Sequence, residues 1–267
     1  MNQIKVNVQE SPTFQNHLSS DDEEAIAIVL GKVCHFIHPQ IVAKIREANI
    51  GFKEEFKAIC RNLDIDTFLF EGSDCVFPGV RRHINKEKKE VKWKNNINPE
   101  DDTILNDNTL PRHIWAFLAM NKRYSGGAKG MWNPSRLSQF ELAHIFGHKE
   151  DEKGLEREVF SQYDTTKLPY ALFTSASNTV LIPNGLMKPT DKCRSIKIAF
   201  YKRYIDLYGG DNLYAEKGFN ETCVPEWYSK IKWLDPIPIE ELPNREKGID
   251  NLLECRRKYL LNKYLSK

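Results

Sequence analysis

An α+β fold is what the spacing of apolar residues in this chain predicts, and three observations carry that prediction. Near both ends apolar residues recur at intervals of three and four, as amphipathic helices require. Between them, the apolar runs Phe140–Phe146 and Val180–Ile182 are bounded by turn residues and too short for helices. No apolar run approaches the roughly 18 residues of a membrane span.

The elements follow in order. Ser20–Glu23 reads as a Ser-x-x-Glu capping box, and Ala-Ile-Ala-Ile-Val-Leu after it suits a buried helix. A second helix opens near Pro39 and carries Ile41, Val42 and Ile45. A third runs from about Phe52 to Arg61, with Phe52, Phe56 and Ile59 on one side. Together they form an N-terminal helical region, 1–67, suited to support, DNA contact or dimerisation.

From Phe68 the texture changes, and turn residues lead to a strand at Glu90–Lys94. A polar loop, Asn95–Asn108, precedes a helix at His113–Met120 with Ile114, Phe117 and Leu118 at helical spacing. The glycine-rich basic loop Ser125–Gly130 suits contact with backbone phosphates. The strand Phe140–Phe146 is followed by a charged, partly helical insertion, Gly147–Tyr163. After the second strand and a turn at Pro183–Gly185, a long helix is expected beyond Asp191. Ile196, Phe200, Tyr204 and Leu207 line it, and Gly209–Gly210 ends it. Trp227 and Trp233 close this central region, 68–236. The remainder, 237–267, reads as a linker and a final helix, Ile249–Leu265.

Charged residues make up 28% and hydrophobic ones 40%, a soluble globular profile. Met1–Glu10 has no apolar signal core, so a cytoplasmic location is expected. Six cysteines stand at 34, 60, 75, 193, 223 and 255 without a Cys-x-x-Cys pair. That scatter fits reduced, packed thiols better than a disulfide frame or zinc knuckle, and Cys34, His35 and His38 lack a second ligand pair. The net charge of +2 hides three basic groups. The first, Arg81 to Lys94, includes Arg81, Arg82 and Lys92; the second is Lys122, Arg123 and Lys129; the third is Lys192, Arg194, Lys197, Lys202 and Arg203. Each alone would read as a solvated charged face. Three of them bracketing one candidate site favour a polyanion partner.

That candidate site lies in Glu141–Phe146 (Glu-Leu-Ala-His-Ile-Phe) and Ser175–Asp191 (Ser-Ala-Ser-Asn-Thr-Val-Leu-Ile-Pro-Asn-Gly-Leu-Met-Lys-Pro-Thr-Asp). A histidine ends one strand, an asparagine heads the next, and a helix start carries lysine and aspartate. A base, an amide that pins it and a nearby acid suit metal-assisted phosphodiester hydrolysis. The arrangement resembles the HNH (ββα-metal) nuclease family: His144 matches its first histidine and Asn178 its central asparagine. The resemblance implies a ββα-metal core in which His144 activates water and Asn178 holds the loop that orients the imidazole. It further implies a single divalent ion, Mg²⁺ or Mn²⁺, stabilising the phosphorane.

Two motif positions depart from the family. Ala143 stands where a metal ligand usually precedes the histidine, and Met187, a soft thioether, where a histidine or asparagine usually follows. Glu141 shares a strand face with position 143, and Asp191 shares a helix face with position 187, so these two become the expected metal ligands. Arg81, Arg82, Lys122, Arg123 and Lys188 are the expected DNA contacts. The expected partner is double-stranded DNA, with a restriction-type endonuclease acting as a homodimer the favoured role. Three other readings stay open. One is a PD-(D/E)xK nuclease using Asp74, Glu90 and Lys92. Another is an HNH-fold DNA binder that has lost its metal, and the last is a protein–protein module docking through the terminal helices.

Overall fold

The computed structural model describes residues 18–55, 58, 74, 82–85, 90–93, 114–115, 118, 139–146, 150–161, 175–209, 218–236, 247–254 and 257–258. It is a mixed α+β fold, mostly helical, around a small antiparallel sheet. Among the described residues no helix is long and apolar enough to cross a membrane.

Helix α1 spans Ser20–Val33. Its cap lies one residue upstream of the expected one. Ser19 is extended, its hydroxyl accepts from Asp22 N–H at 3.2 Å, and its own N–H donates to Asp22 Oδ2 at 3.0 Å. Asp22 thus replaces Glu23 in the box and frees Glu23 to accept from Ser195 Oγ at 2.5 Å. Strand β1 is only His35–Phe36, and α2 runs Pro39–Gly51. Pro39 sits in the first turn, where its missing N–H costs nothing, and His38 Nδ1 accepts from Gln40 N–H at 3.2 Å. Ile41, Val42 and Ile45 are buried along one face, as their spacing requires.

Strands β2 (Arg82–Asn85) and β3 (Glu90–Trp93) pair antiparallel as a separate hairpin, with Arg82 opposite Trp93 and Asn85 opposite Glu90. The sequence points only to the second of these strands. β4 is Phe140–His144, α3 is Glu150–Val159 and β5 is Thr179–Pro183. The sheet order is β1-β5-β4, all antiparallel. Gly185 turns the chain after β5 with φ +86, a conformation other residues adopt only under strain. Two helices follow, α4 (Met187–Lys192) and α5 (Arg194–Tyr208), the latter stopping at Gly209 as its sequence predicts.

One core joins the three-stranded sheet to α1, α2, α3 and α5. Phe36 packs against Phe200 of α5 and edge-on to Trp233, with centroids 5.9 and 5.6 Å apart. A two-residue strand gains about 0.5–1.5 kcal/mol net for each hydrogen bond. Burying a phenylalanine is worth about 1.5–3 kcal/mol, so packing of Phe36 contributes at least as much as the ladder of β1. Through β1, α1 and α2, the stretch read as an N-terminal helical region shares its core with β5 and α5. Ile249 and Leu252 of the C-terminal segment are buried in that core as well, and Asp250 bonds Lys44 of α2 at 3.0 Å. Of the expected third and His113–Met120 helices, residues 53–55, 58, 114–115 and 118 are described and helical.

Candidate functional site

Antiparallel pairing fixes which side chains share a face. His144 lies opposite Thr179, Leu142 opposite Leu181, and Phe140 opposite Pro183. His35, opposite Leu181, joins the same face and meets Phe140 edge-on at 5.1 Å. Glu141 and Ala143 pair with Ile182 and Val180 on the other face, which Phe36 shares and where α5 packs. Glu141 and His144 therefore project from opposite faces of β4.

The end of β4 is held by Asn178. Its side chain is fully buried; Oδ1 accepts from Phe146 N–H at 2.7 Å and Nδ2 donates to Phe146 C=O at 3.3 Å. Its own carbonyl accepts from Ile145 N–H at 3.0 Å. A single asparagine thus fixes the two residues after His144. The Phe146 ring completes the anchor, stacking on Tyr201 at 5.0 Å and meeting Tyr204 edge-on at 4.8 Å. His144 is half-buried, with its Nε2 sealed from solvent.

Around this clamp runs a buried polar shell that the sequence reading did not single out as one. Ser175, Ser177 and Thr179 are fully buried. Thr179 Oγ1 donates to Ala176 C=O at 2.9 Å and accepts from Trp115 Nε1 at 3.0 Å, so Trp115 covers the His144 face of the sheet. Ser177 Oγ lies 3.4 Å from the Tyr204 hydroxyl. The small hydroxyl residues flanking Asn178 were the available signal, because such side chains satisfy turn backbones. Nothing in the sequence marks Trp115 as their partner.

The remaining predicted residues are dispersed. Asp191 is exposed on α4, at a notch of about 330 Å³ against α3 that Lys192, Arg194, Lys197 and Glu158 also line. Among the described residues no three or more His, Cys, Asp or Glu side chains converge as a metal site. Asp74 is 1% exposed, and its Oδ2 accepts from Ser177 N–H at 2.6 Å. Glu90 and Lys92 lie on the β2–β3 hairpin. Arg82 is in β2 and Lys188 in α4; Arg81, Lys122 and Arg123 lie outside the described residues.

The third basic group is largely committed to the fold. Arg194 bonds Glu158 at 2.6 Å, and Lys202 bridges Asp206 and Glu221 at 2.8 and 2.9 Å. Arg203 lies over Phe36 and Trp233, with burial lowering its pKa from the usual guanidinium value. Lys192 and Lys197 make no ion pair among the described residues, so they carry what remains of a basic stripe there. A larger cleft of about 810 Å³ between the start of α1 and residues 223–230 is lined by Asp21, Glu23, Glu24 and Glu226 against Arg194 and Lys230, a surplus of acid that disfavours polyanions. Cys34, buried, has its thiol pushed up to about 12 by desolvation, while His35 and His38 serve packing and capping.

No family model, no curated protein and no solved structure matches the chain.

Proposed function

We propose that the chain is a nuclease of the HNH (ββα-metal) kind that hydrolyses phosphodiester bonds in DNA, with His144 as general base. The supporting observation is the Asn178 clamp. An amide from the head of β5 grips the main chain just beyond the histidine that ends β4, and β4, antiparallel β5 and α4 come in the order of the family's motif, with α3 inserted between the two strands. A catalytic base must be held to within a fraction of an ångström of its target, and this clamp supplies that restraint.

Nε2 of His144 is sealed, and in this reading the proton moves to Nδ1. Nδ1 takes a proton from water as its oxygen attacks phosphorus; the P–O bond to the leaving sugar oxygen breaks, and that oxygen is protonated from solvent. Among the described residues no three or more His, Cys, Asp or Glu side chains form a metal cluster. Glu141 and Asp191 remain the ligand candidates to be tested by alanine substitution.

A second reading, a DNA binder that has lost catalysis, is favoured by the sealed Nε2 and by Ala143 and Met187 at the motif's ligand positions. One experiment separates the two. Wild type and His144→Ala are incubated with supercoiled and linear double-stranded DNA in Mg²⁺, Mn²⁺ or EDTA. Discrete fragments from wild type alone, abolished by EDTA, support a metal-dependent restriction-type enzyme. Cleavage that survives His144→Ala refutes the assignment, and salt-sensitive binding without cleavage leaves the second reading.

A further inference from the structure

Asp74 is distant in sequence from both strands, yet its carboxylate is built into the turn between them. Ser177 N–H donates to its Oδ2 at 2.6 Å and Ala176 N–H to its main-chain carbonyl at 3.3 Å. Both donors belong to the 175–178 turn, which ends on Asn178, and Asn178 in turn holds Phe146, two residues after His144. The same turn is tied from the other side by Ser177 Oγ near Tyr204, whose ring packs on Phe146. The chain of contacts from Asp74 to the strand end is therefore closed on both sides.

A carboxylate is a costly group to bury, and here both the N–H and the side chain of Ser177 bond it. Desolvation pushes Asp74 upward, opposed by the Ser177 hydrogen bond and by the charge of Arg46 on α2. The Arg46 guanidinium acts on Asp74 through its charge, and its Nε and Nη2 are buried without a hydrogen bond among the described residues.

We infer that Asp74 is a positioning residue for His144: it fixes the 175–178 turn and, through Asn178 and Phe146, the place of the imidazole. This rests on the reading of His144 as the base, and the test keeps the two apart. Ring cross-peaks of His144, identified by their loss in His144→Ala, are recorded by NMR for full-length wild type, Asp74→Ala and Asp74→Asn, well below each protein's melting temperature. DNA nicking is followed in parallel.

Asp74→Ala is expected to move the His144 ring signals and to lower kcat about tenfold or more, with KM within about threefold. Asp74→Asn keeps an oxygen for Ser177 N–H and is expected to restore both, kcat to within about threefold of wild type. If Asp74→Ala does not fold, Asp74→Glu, which displaces the accepting oxygen by one methylene, must move the same signals. Unmoved ring signals in a folded Asp74→Ala or Asp74→Glu protein overturn the inference, even if melting falls, as does failure of Asp74→Asn to restore them. A wild type that never nicks DNA defeats the nuclease reading alone, because the ring signals still decide the role of Asp74.

Discussion

Removing the Asn178 amide is the most direct test of the clamp. Asn178→Ala deletes a 2.7 Å bond from Phe146 N–H and a 3.3 Å bond to Phe146 C=O at a position with no solvent exposure. A buried donor left without its acceptor costs about 1–3 kcal/mol, and the longer second bond adds about 0.5–1.5. The sum is about 2–4 kcal/mol, which for a chain of this size lowers Tm by roughly 4–16 °C. Thermal melts followed by circular dichroism measure it. Asn178→Asp supplies the internal control, because a protonated carboxyl keeps the acceptor and offers an O–H donor in place of Nδ2. Burial raises the pKa of the introduced carboxyl above its unfolded value, so the folded state takes up a proton and Asn178→Asp gains stability as pH falls. An Asn178→Ala protein melting within about 2 °C of wild type, or an Asn178→Asp protein with no such gain relative to wild type, would refute the clamp as the anchor of the strand end.

Three further outcomes are expected. Gly31→Ala would place a methyl against Ile231 Cγ2 and 3.5 Å from the Lys232 carbonyl. Helix propensity favours alanine by about 1 kcal/mol while overpacking costs about 1–3, so a net loss in urea unfolding is expected and a gain would contradict the packing of α1 on residues 231–234. Tyr208→Phe removes a buried 2.6 Å bond to the Ile37 carbonyl and should cost about 1–3 kcal/mol in the same assay, an unchanged midpoint denying that bond its role. Burial holds the His35 imidazole below its ordinary 6.5, so its contribution is complete above that pH and is lost as pH falls through the depressed folded value. Wild type should therefore lose more stability than His35→Phe on acidification from neutral pH, and parallel losses would exclude His35 as the cause.

What the sequence made legible was local. Ile41, Val42 and Ile45, and Ile196, Phe200 and Tyr204, lie on buried faces because helical periodicity is written in neighbouring residues. His144 and Asn178 could be paired because each sits at a strand terminus, and antiparallel register then brings the termini together. β1 was not legible, since two residues carry no period; it is a strand because Phe36 fills the space beneath α5. Asp74 and Trp115 were equally hidden, their partners lying 103 and 64 residues away. The partners of the third basic group were hidden for a related reason: composition counts charges, whereas Arg194 pairs with Glu158, Lys202 with Asp206 and Glu221, and Arg203 lies over aromatic rings.

The two faces of β4 separate the duties that a nuclease reading must assign. Glu141 and Ala143 look toward the side where α5 packs, and His144 looks toward the side that Trp115 covers. A phosphate reaching both Glu141 and His144 would have to pass around the edge of β4 that does not pair with β5 among the described residues. The strand terminus offers a shorter path, because beyond His144 the chain leaves the ladder and alternation no longer divides its groups. That is the point at which Asn178, Phe146 and the 175–178 turn concentrate their hydrogen bonds. Buried polar groups are expensive, and the fold that gathers Asp74, Ser175, Ser177, Asn178 and Thr179 behind one strand end ties that end down through a network of hydrogen bonds.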